Sequence, residues 1–550
     1  MSAPAARFLR IHPADNVMVA LQDLPAATVV RFENQVLVLP EAIPAKHKFF
    51  LHEMAPGAEV TMYGGLVGKA QVHIAQGGRM TTANTAHAAD PYAYRGWQQG
   101  PWVAPDAARF AGRTFQGYHR ADGRVGTANY WLFVPLVFCE NRNLDAIKEA
   151  LHHELGYATT GKYRLFAHDL LRAYQQGDDG QGIQLAPAST PARARVFPNV
   201  DGIKFLNHSG GCGGTRQDAD TLGELLAAYA DHPNVAGVTV LSLGCQHLQT
   251  SNFRASLQRR NPQFDKPLLV FEQQLMDSEE QVVSEAIRQT FRGLARANEN
   301  VRRPAPLSAL SIGVKCGGSD GFSGLSANPA VGYAADLLVG LGGQVLLAEF
   351  PELCGAEQNI LDRCPDGALA GRFTQLMGDY DALATAVGSG FFMNPSPGNI
   401  ADGLITDAIK SAGAAKKGGT SPVADVLDYT EPARRPGLSL VCTPGNDVEA
   451  TTGQAAAGAT LILFTTGLGT PTGNPVCPVI KVATNTGLAR RLADIIDLDA
   501  GPVIAGTKTI EQMGEEILDY CVRAASGEVI PKAVALGQDD FIPWKRGVSL

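Results

Sequence analysis

The apolar positions of this chain fall into two styles. Residues 1–95 carry only short runs (Asn16–Leu21, Gln35–Leu39, His47–Leu51, Glu59–Met62 and Lys69–Ile74) with Pro or Gly between them, which predicts a small all-β domain. From residue 114 onward, strand-like runs alternate with helical stripes. The strand Tyr130–Phe138 precedes Leu144, Ile147, Leu151 and Leu155 at helical spacing, with Gly156 placed as a C-terminal cap. Gly202–Leu206 precedes a second stripe, Leu222, Leu225, Leu226 and Tyr229. Val238–Cys245, Pro267–Phe271 and Leu310–Val314 are further strands around a helix over 278–298, and Tyr333–Leu341 and Gln344–Ala348 add a helix and a strand. Such alternation predicts largely parallel sheets.

The pattern breaks at Met393–Asn399 and again at Lys416–Thr420, which places the start of a further α/β unit near 396. Its strands are expected within Gly437–Gly445, Ala459–Phe464 and Val479–Ala483, and its closing helix over Ile510–Ala525. The expected division is therefore a β domain over 1–95, a linker over 96–113, an α/β catalytic domain over 114–395 and a C-terminal α/β domain over 396–550. Trp97 and Trp102 suggest that the linker lies against a surface.

Composition narrows the function. Hydrophobic residues make up 45% and charged residues 18%, and no apolar run approaches the roughly 18 residues that span a bilayer. The formal net charge of -8 comes without any basic tract, which argues against nucleic-acid binding. Met1–Arg10 lacks the apolar core of a signal peptide, and nine scattered cysteines read as reduced thiols, so the expected location is the cytoplasm. The expected partners are a small-molecule substrate and further copies of the chain.

Candidate chemistry gathers where strands run into glycines. Leu310–Gly324 delivers Lys315, Cys316, Ser319 and Asp320; Asn207–Thr215 delivers His208 and Cys212; Val238–Cys245 runs directly into His247. Because ligands bind at strand ends of α/β sheets, the three cysteines are expected to converge on one site. They could hold a soft metal, carry an iron–sulfur cluster with one open iron, or pack as small apolar residues. None has the short C-x-x-C spacing, which favours a mononuclear ion over a cluster. Cys139 and the five other cysteines read as core or surface thiols. Lys315, at the end of an apolar strand, is expected to be desolvated and lowered toward the range of a general base, the alternative being an ion pair with Asp320 or Glu349. His208 is a candidate ligand or acid/base. The turns Thr443–Asp447 and Thr465–Gly473 offer N–H groups to an anion but match no phosphate-binding motif, so a carboxylate or sugar hydroxyl suits them.

In order along the chain stand Asp15-Asn-Val17, Lys46-His-Lys-Phe-Phe50, Gly117-Tyr-x-Arg-x-Asp-Gly-Arg-x-Gly126, His208-Ser-x-Gly-Cys212, Gly244-Cys245, Cys316-Gly-Gly-Ser-Asp320, Ala327-Asn-Pro329, Glu349 with Glu352 and Gly355, Pro395-Ser-Pro-Gly-Asn399, Thr443-Pro-Gly445, Leu463-Phe-Thr-Thr-Gly467 and Phe541-Ile-Pro-Trp544. Together they resemble the altronate and galactarate dehydratase family of sugar-acid dehydratases. The resemblance implies an N-terminal antifreeze-like β-clip domain, two α/β domains and a divalent metal, expected to be Fe(II) with Mn(II) as the alternative. It implies loss of water from an aldonate or aldarate to give a 2-keto-3-deoxy sugar acid. In that reading Lys315 or His208 moves the proton, and His208, Cys212, Cys245 and Cys316 form the metal neighbourhood. Ser319, Asp320 and Asn399 orient hydroxyls, and Thr443, Thr465 and Thr466 bind substrate. Where relatives carry His-x-His-Asn late in the β-clip domain this chain has Thr81-Thr-Ala-Asn84, with His87 shortly after as a further candidate metal ligand. The competing expectations are a sulfo-lyase acting on a sulfolactate-like substrate and a non-catalytic sugar-acid binding protein.

Overall fold

Inward-facing β-branched and aromatic residues build two parallel sheets in a computed structural model that describes residues 6–97, 100–158, 161–186 and 194–549. Residues 1–5 of the N-terminal stretch and Gln98–Gln99 of the expected linker lie outside the described residues. The first sheet has four strands in the order Gly202–Phe205, Tyr130–Pro135, Val235–Ser242, Leu268–Glu272. The second has seven, in the order Val423–Leu427, Gly437–Val441, Gln344–Leu347, Ser311–Cys316, Leu461–Thr466, Val479–Ala483, Leu498–Asp499. Every pairing within both is parallel. That fits strands buried on both faces, such as Val235–Ser242 and Leu461–Thr466, whose residues are all buried.

The helices follow the stripes that predict them. Asn141–Leu155 buries Leu144, Ile147, Leu151 and Leu155 and ends at Gly156 with φ 76°, a left-handed cap that glycine takes without strain. Ser278 caps Glu279–Ala297 by accepting from the Gln281 N–H, and Ile510–Ala525 starts on a capping box between Thr509 and Gln512. Helices Lys162–Gln175, Thr250–Arg260, Gly367–Ala386, Asp407–Ala415 and Asp447–Ala457 add to those read from the sequence.

The sheet topology moves a domain boundary. Ser311–Cys316 and Gln344–Leu347 pair with Leu461–Thr466 and Gly437–Val441, so a division at 395/396 would cut one continuous sheet. The chain leaves the domain of the first sheet earlier, where Arg303–Pro306 returns antiparallel to Thr114–His119 in a separate three-stranded sheet.

The N-terminal domain consists of short antiparallel sheets, among them Phe8–Leu9, Val17–Ala20 and Lys48–Phe50, and Glu59–Met62, Gly65–Ala70 and Thr85–Ala86. It does not hang free. Val17, Val19, Phe50 and Met62 share a core with Phe322, Leu325, Leu404 and Ile405. Lys48, fully buried, donates to the Gly403 carbonyl at 2.6 Å, and Lys46 lies 3.1 Å from Asp320 and 3.3 Å from Asp402. In the segment joining the domains, Trp102 donates to the Thr420 hydroxyl at 3.1 Å, so this stretch does lie against the body of the protein.

Candidate active site

In the seven-stranded sheet the chain lays down Ser311–Cys316, builds outward on one side through Gln344–Leu347, then crosses to the other side with Leu461–Thr466. The strand order reverses here, so a ligand crevice is expected at the C-terminal strand ends, and Lys315 and Cys316 end one of the two flanking strands. Glu349 and Glu352 arrive from the end of Gln344–Leu347, Lys410 and Lys417 from the helix Asp407–Ala415 and the turn after it, and Asp447 from the first turn of Asp447–Ala457.

These side chains form one ionic network. Lys315 donates to Glu349 Oε1 at 2.6 Å, to Asp447 Oδ1 at 2.5 Å and to its neighbour's carbonyl, Cys316 O, at 2.9 Å. Lys417 donates to Cys316 Sγ and to Glu349 Oε2, each at 2.8 Å. Lys410 meets Glu352 Oε1 at 2.8 Å and donates to Asn394 at 2.6 Å, while the Cys316 thiol points to Glu352 Oε2 at 3.3 Å. Three ammoniums therefore face three carboxylates. Lys315, Lys417 and Glu349 are at most 1% exposed, whereas Asp447 is 28% exposed, so Asp447 is the carboxylate of the set that a ligand can reach.

Burial and pairing oppose each other here. Desolvation alone would lower Lys315, but the Glu349 and Asp447 carboxylates outweigh it and hold the ammonium above the ordinary lysine range. Lys417 is raised in the same way, burial being overcome by Cys316 and Glu349. Burial pushes the Cys316 thiol up to about 12 against the pull of Lys417. Burial would raise Glu352, but Lys410, Lys417 and Lys315 hold it below the usual carboxylate range. The expected lowering of Lys315 gives way to the alternative, an ion pair with Glu349: it sits as a paired cation, because the Glu349 and Asp447 carboxylates lie against it on two sides.

Backbone geometry is specialised at the same place. Glu349 has φ 72°, a left-handed conformation unusual for a residue with a side chain, and its N–H donates to the Thr443 hydroxyl at 2.9 Å. Gly317 has no room for a side chain, since a Cβ there would lie 2.5 Å from Asp447 Oδ1. Ser319, 3% exposed, has an Oγ without a hydrogen-bond partner, whereas Asn399 donates to the Ser319 carbonyl at 2.8 Å.

Several residues expected to act directly are used for bracing. Asp320 is bound by Ser323, Thr484 and Lys46. Thr443 also donates to the Pro444 carbonyl, Thr465 donates to Asn328 Oδ1 at 2.6 Å, and Thr466 accepts from the Gly469 and Thr470 N–H groups. His208 lies on the other sheet, where both ring nitrogens are engaged: Nδ1 accepts from the Gly210 N–H at 3.0 Å, so Nε2 carries the proton and donates to the Pro135 carbonyl at 2.8 Å. Burial lowers it to about 4. His87 accepts at 3.4 Å from the Ala408 N–H at the interface with the N-terminal domain.

The expected single cluster of three cysteines divides between the two sheets. Cys212 and Cys245 follow strands of the four-stranded sheet, while Cys316 ends a strand of the seven-stranded one. Among the described residues, the group of His, Cys, Asp and Glu whose ligand atoms lie within 4.8 Å of one another is Cys316, Glu349 and Glu352. This buried triad could hold a metal ion. Its thiol and carboxylate donors suit a divalent transition ion, and the S–H···O contact between Cys316 and Glu352 marks a point where a cation can replace a proton. The sequence offered Glu349 as an ion-pair partner of Lys315 and Glu352 only as part of a motif, and did not single out Lys410, Lys417 and Asp447 as site residues. The available signal was a pair of glutamates just past a buried strand, with a lysine-rich turn downstream.

Three family models match in succession: the altronate/galactarate dehydratase SAF domain over 6–88, the D-galactarate dehydratase/altronate hydrolase second domain over 117–298, and the D-galactarate/altronate dehydratase C-terminal domain over 307–549. The chain is 34% identical to altronate dehydratase of Escherichia coli over 99% of this chain and 100% of that one. It is 31% identical to altronate dehydratase of Bacillus subtilis, over 99% of each chain. To the L-threo-forming galactarate dehydratase of Escherichia coli it is 30% identical, over 96% of this chain and 94% of that one. With three domains matched in succession and relatives aligned over nearly its whole length, the chain belongs to the altronate/galactarate dehydratase family of hydro-lyases.

Proposed function

We propose that this protein removes water from an altronate-like aldonate or an aldarate to give a 2-keto-3-deoxy sugar acid. The observation that carries the reading is the Lys315–Asp447 pair at the strand ends, a partly exposed carboxylate held 2.5 Å from a buried cation. In this reading the Lys410 ammonium, which has a donor left beyond Glu352 and Asn394, draws in the substrate carboxylate, and Asp447, held in place by the buried Lys315, takes the proton from the adjacent carbon. The hydroxyl on the next carbon leaves as water, taking the proton that Asp447 has accepted, and the enol that remains tautomerises to the ketone. Ser319 Oγ, buried and without a partner, meets a substrate hydroxyl.

Cys316, Glu349 and Glu352 would hold the metal, taken as Fe(II) or Mn(II). Such an ion would supply Lewis acidity where negative charge builds as the proton leaves. All nine cysteines are free, which supports a reducing compartment. The test is formation of the 2-keto-3-deoxy acid from altronate, galactarate and their epimers by the metal-loaded protein, with sulfolactate as the competing substrate. Release of sulfite from sulfolactate without turnover of any sugar acid would reject the proposal.

A further inference from the structure

The four-stranded sheet has a switch point of its own. The chain lays down Tyr130–Pro135, places Gly202–Phe205 on one side of it and then Val235–Ser242 on the other. A crevice is therefore expected at the C-terminal ends of these strands too. A cysteine follows each of the three: Cys139, Cys212 and Cys245. All three are exposed, whereas Cys316, Cys364, Cys442, Cys477 and Cys521 are buried and Cys354 is half-buried. Unpaired cysteine is among the most buried residue types, so exposure confined to one sheet edge calls for a physical reason.

The loops that carry these thiols are tied together. The Phe138 N–H donates to the Gly210 carbonyl at 3.0 Å, Asn141 Nδ2 to the His208 carbonyl at 2.9 Å, and the His247 N–H to the Gly211 carbonyl at 3.1 Å. Gly211 has φ 96°, and a Cβ there would lie 2.2 Å from the Leu136 carbonyl oxygen. The loop of Cys212 is thus pressed against the turn leading to Cys139 on one side and bonded to the segment after Cys245 on the other. His208, with Nδ1 accepting from Gly210 within the loop and Nε2 donating to Pro135 at the end of the neighbouring strand, braces the loop and has no lone pair to offer.

A second observation points to a ligand. Next to Cys139, Glu140 is 1% exposed, yet its Oε1 has no hydrogen-bond partner, and the Oδ1 of the following Asn141 has none either. Buried polar atoms without partners are rare in native proteins, and a bound group is one explanation for them. The size of that group follows from the spacing. The three thiols do not meet the 4.8 Å mutual distance that Cys316, Glu349 and Glu352 do, so they stand too far apart for a single ion. The thiols sit on loops three to seven residues beyond the ends of three neighbouring strands, which run about 4.8 Å apart, and this leaves room between them for a polynuclear centre.

We infer that Cys139, Cys212 and Cys245 form a three-thiolate site for an iron–sulfur cluster, with one iron left without a protein sulfur. The cluster enters by ligand exchange. Each protein thiol forms a sulfur–iron bond and passes its proton to the small thiolate it displaces, with no change of oxidation state. The site is separate from the Cys316 triad, which lies on the other sheet, and the inference does not depend on the substrate proposed above.

The test uses the full chain, purified without oxygen and incubated with a thiol-ligated [4Fe–4S] cluster, followed by removal of unbound cluster. Expected are broad visible absorption, and iron and acid-labile sulfide in stoichiometric amounts. Cys139→Ala, Cys212→Ala and Cys245→Ala should each bring sulfide down to background, and Cys316→Ala should leave it unchanged. Should a variant fail to fold, alkylation of the wild-type protein reads the same point: Cys139, Cys212 and Cys245 should be protected in the loaded protein and modified in the cluster-free one. Absence of sulfide, iron without sulfide, or sulfide retained by all three variants overturns the inference, as does equal alkylation in both forms.

Discussion

Lys315 Nζ lies 2.5 Å from Asp447 Oδ1, and the two residues are opposite in exposure: the lysine side chain is wholly buried and the aspartate is 28% exposed. The lysine is fixed as a cation by carboxylates on two sides, and the aspartate keeps its carboxylate partly exposed. Asp447→Asn is therefore expected to lower turnover by roughly 10²–10⁴-fold, the range typical of general acid–base catalysis, and to abolish exchange of the C2 proton into deuterated water. Lys315→Arg, which keeps the charge, should retain more activity than Lys315→Met. Wild-type C2 exchange in Asp447→Asn would remove that residue from the proton-transfer role.

The buried triad makes a prediction about metal content. Cys316→Ala and Glu352→Gln should bind less divalent metal than the wild type, with the loss confined to metal that carries no sulfide. Elemental analysis alongside a sulfide assay reads this directly. Activity lost to a chelator should return with iron or manganese. Full metal occupancy in Cys316→Ala would place the ion elsewhere.

Lys417 bridges Cys316 and Glu349 at 2.8 Å to each and is 1% exposed. Removing one partner of a buried ionic network leaves the other charge uncompensated, at about 3–5 kcal/mol. Lys417→Met should lose stability on that scale in chemical denaturation. A change within measurement error would show that the network relaxes without it.

His208 predicts a dependence of stability on pH. Burial lowers its folded value to about 4 from the ordinary 6.5, so the unfolded chain takes up a proton that the folded protein refuses. Stability from this residue is complete above 6.5 and is lost as pH falls toward 4, by about 3 kcal/mol in total. His208→Asn, whose amide oxygen can still accept from the Gly210 N–H, should flatten the profile between those limits. An unchanged profile would assign the acid sensitivity to other groups.

The sequence by itself determined the elements whose packing is local. Leu144, Ile147, Leu151 and Leu155 set one helix face and Gly156 its end, and the capping residues Ser278 and Thr509 set two helix starts, because spacing and capping act within a few residues. It also showed the alternation that gives parallel sheets, and the motifs that led to the family. The tertiary structure alone decided which strands are neighbours. Leu461–Thr466 lies beside Ser311–Cys316, from which it is separated by three strands in the chain, and this moves the domain boundary from 395 to the region of 303–306. The same non-local pairing took Cys316 away from Cys212 and Cys245 and put it beside Glu352 and Lys417. It also decided Lys315 for the ion pair. An apolar strand end announces desolvation, which lowers a lysine, but the opposing carboxylates come from residues 34 and 132 positions away, and only the folded chain brings them within 2.6 Å.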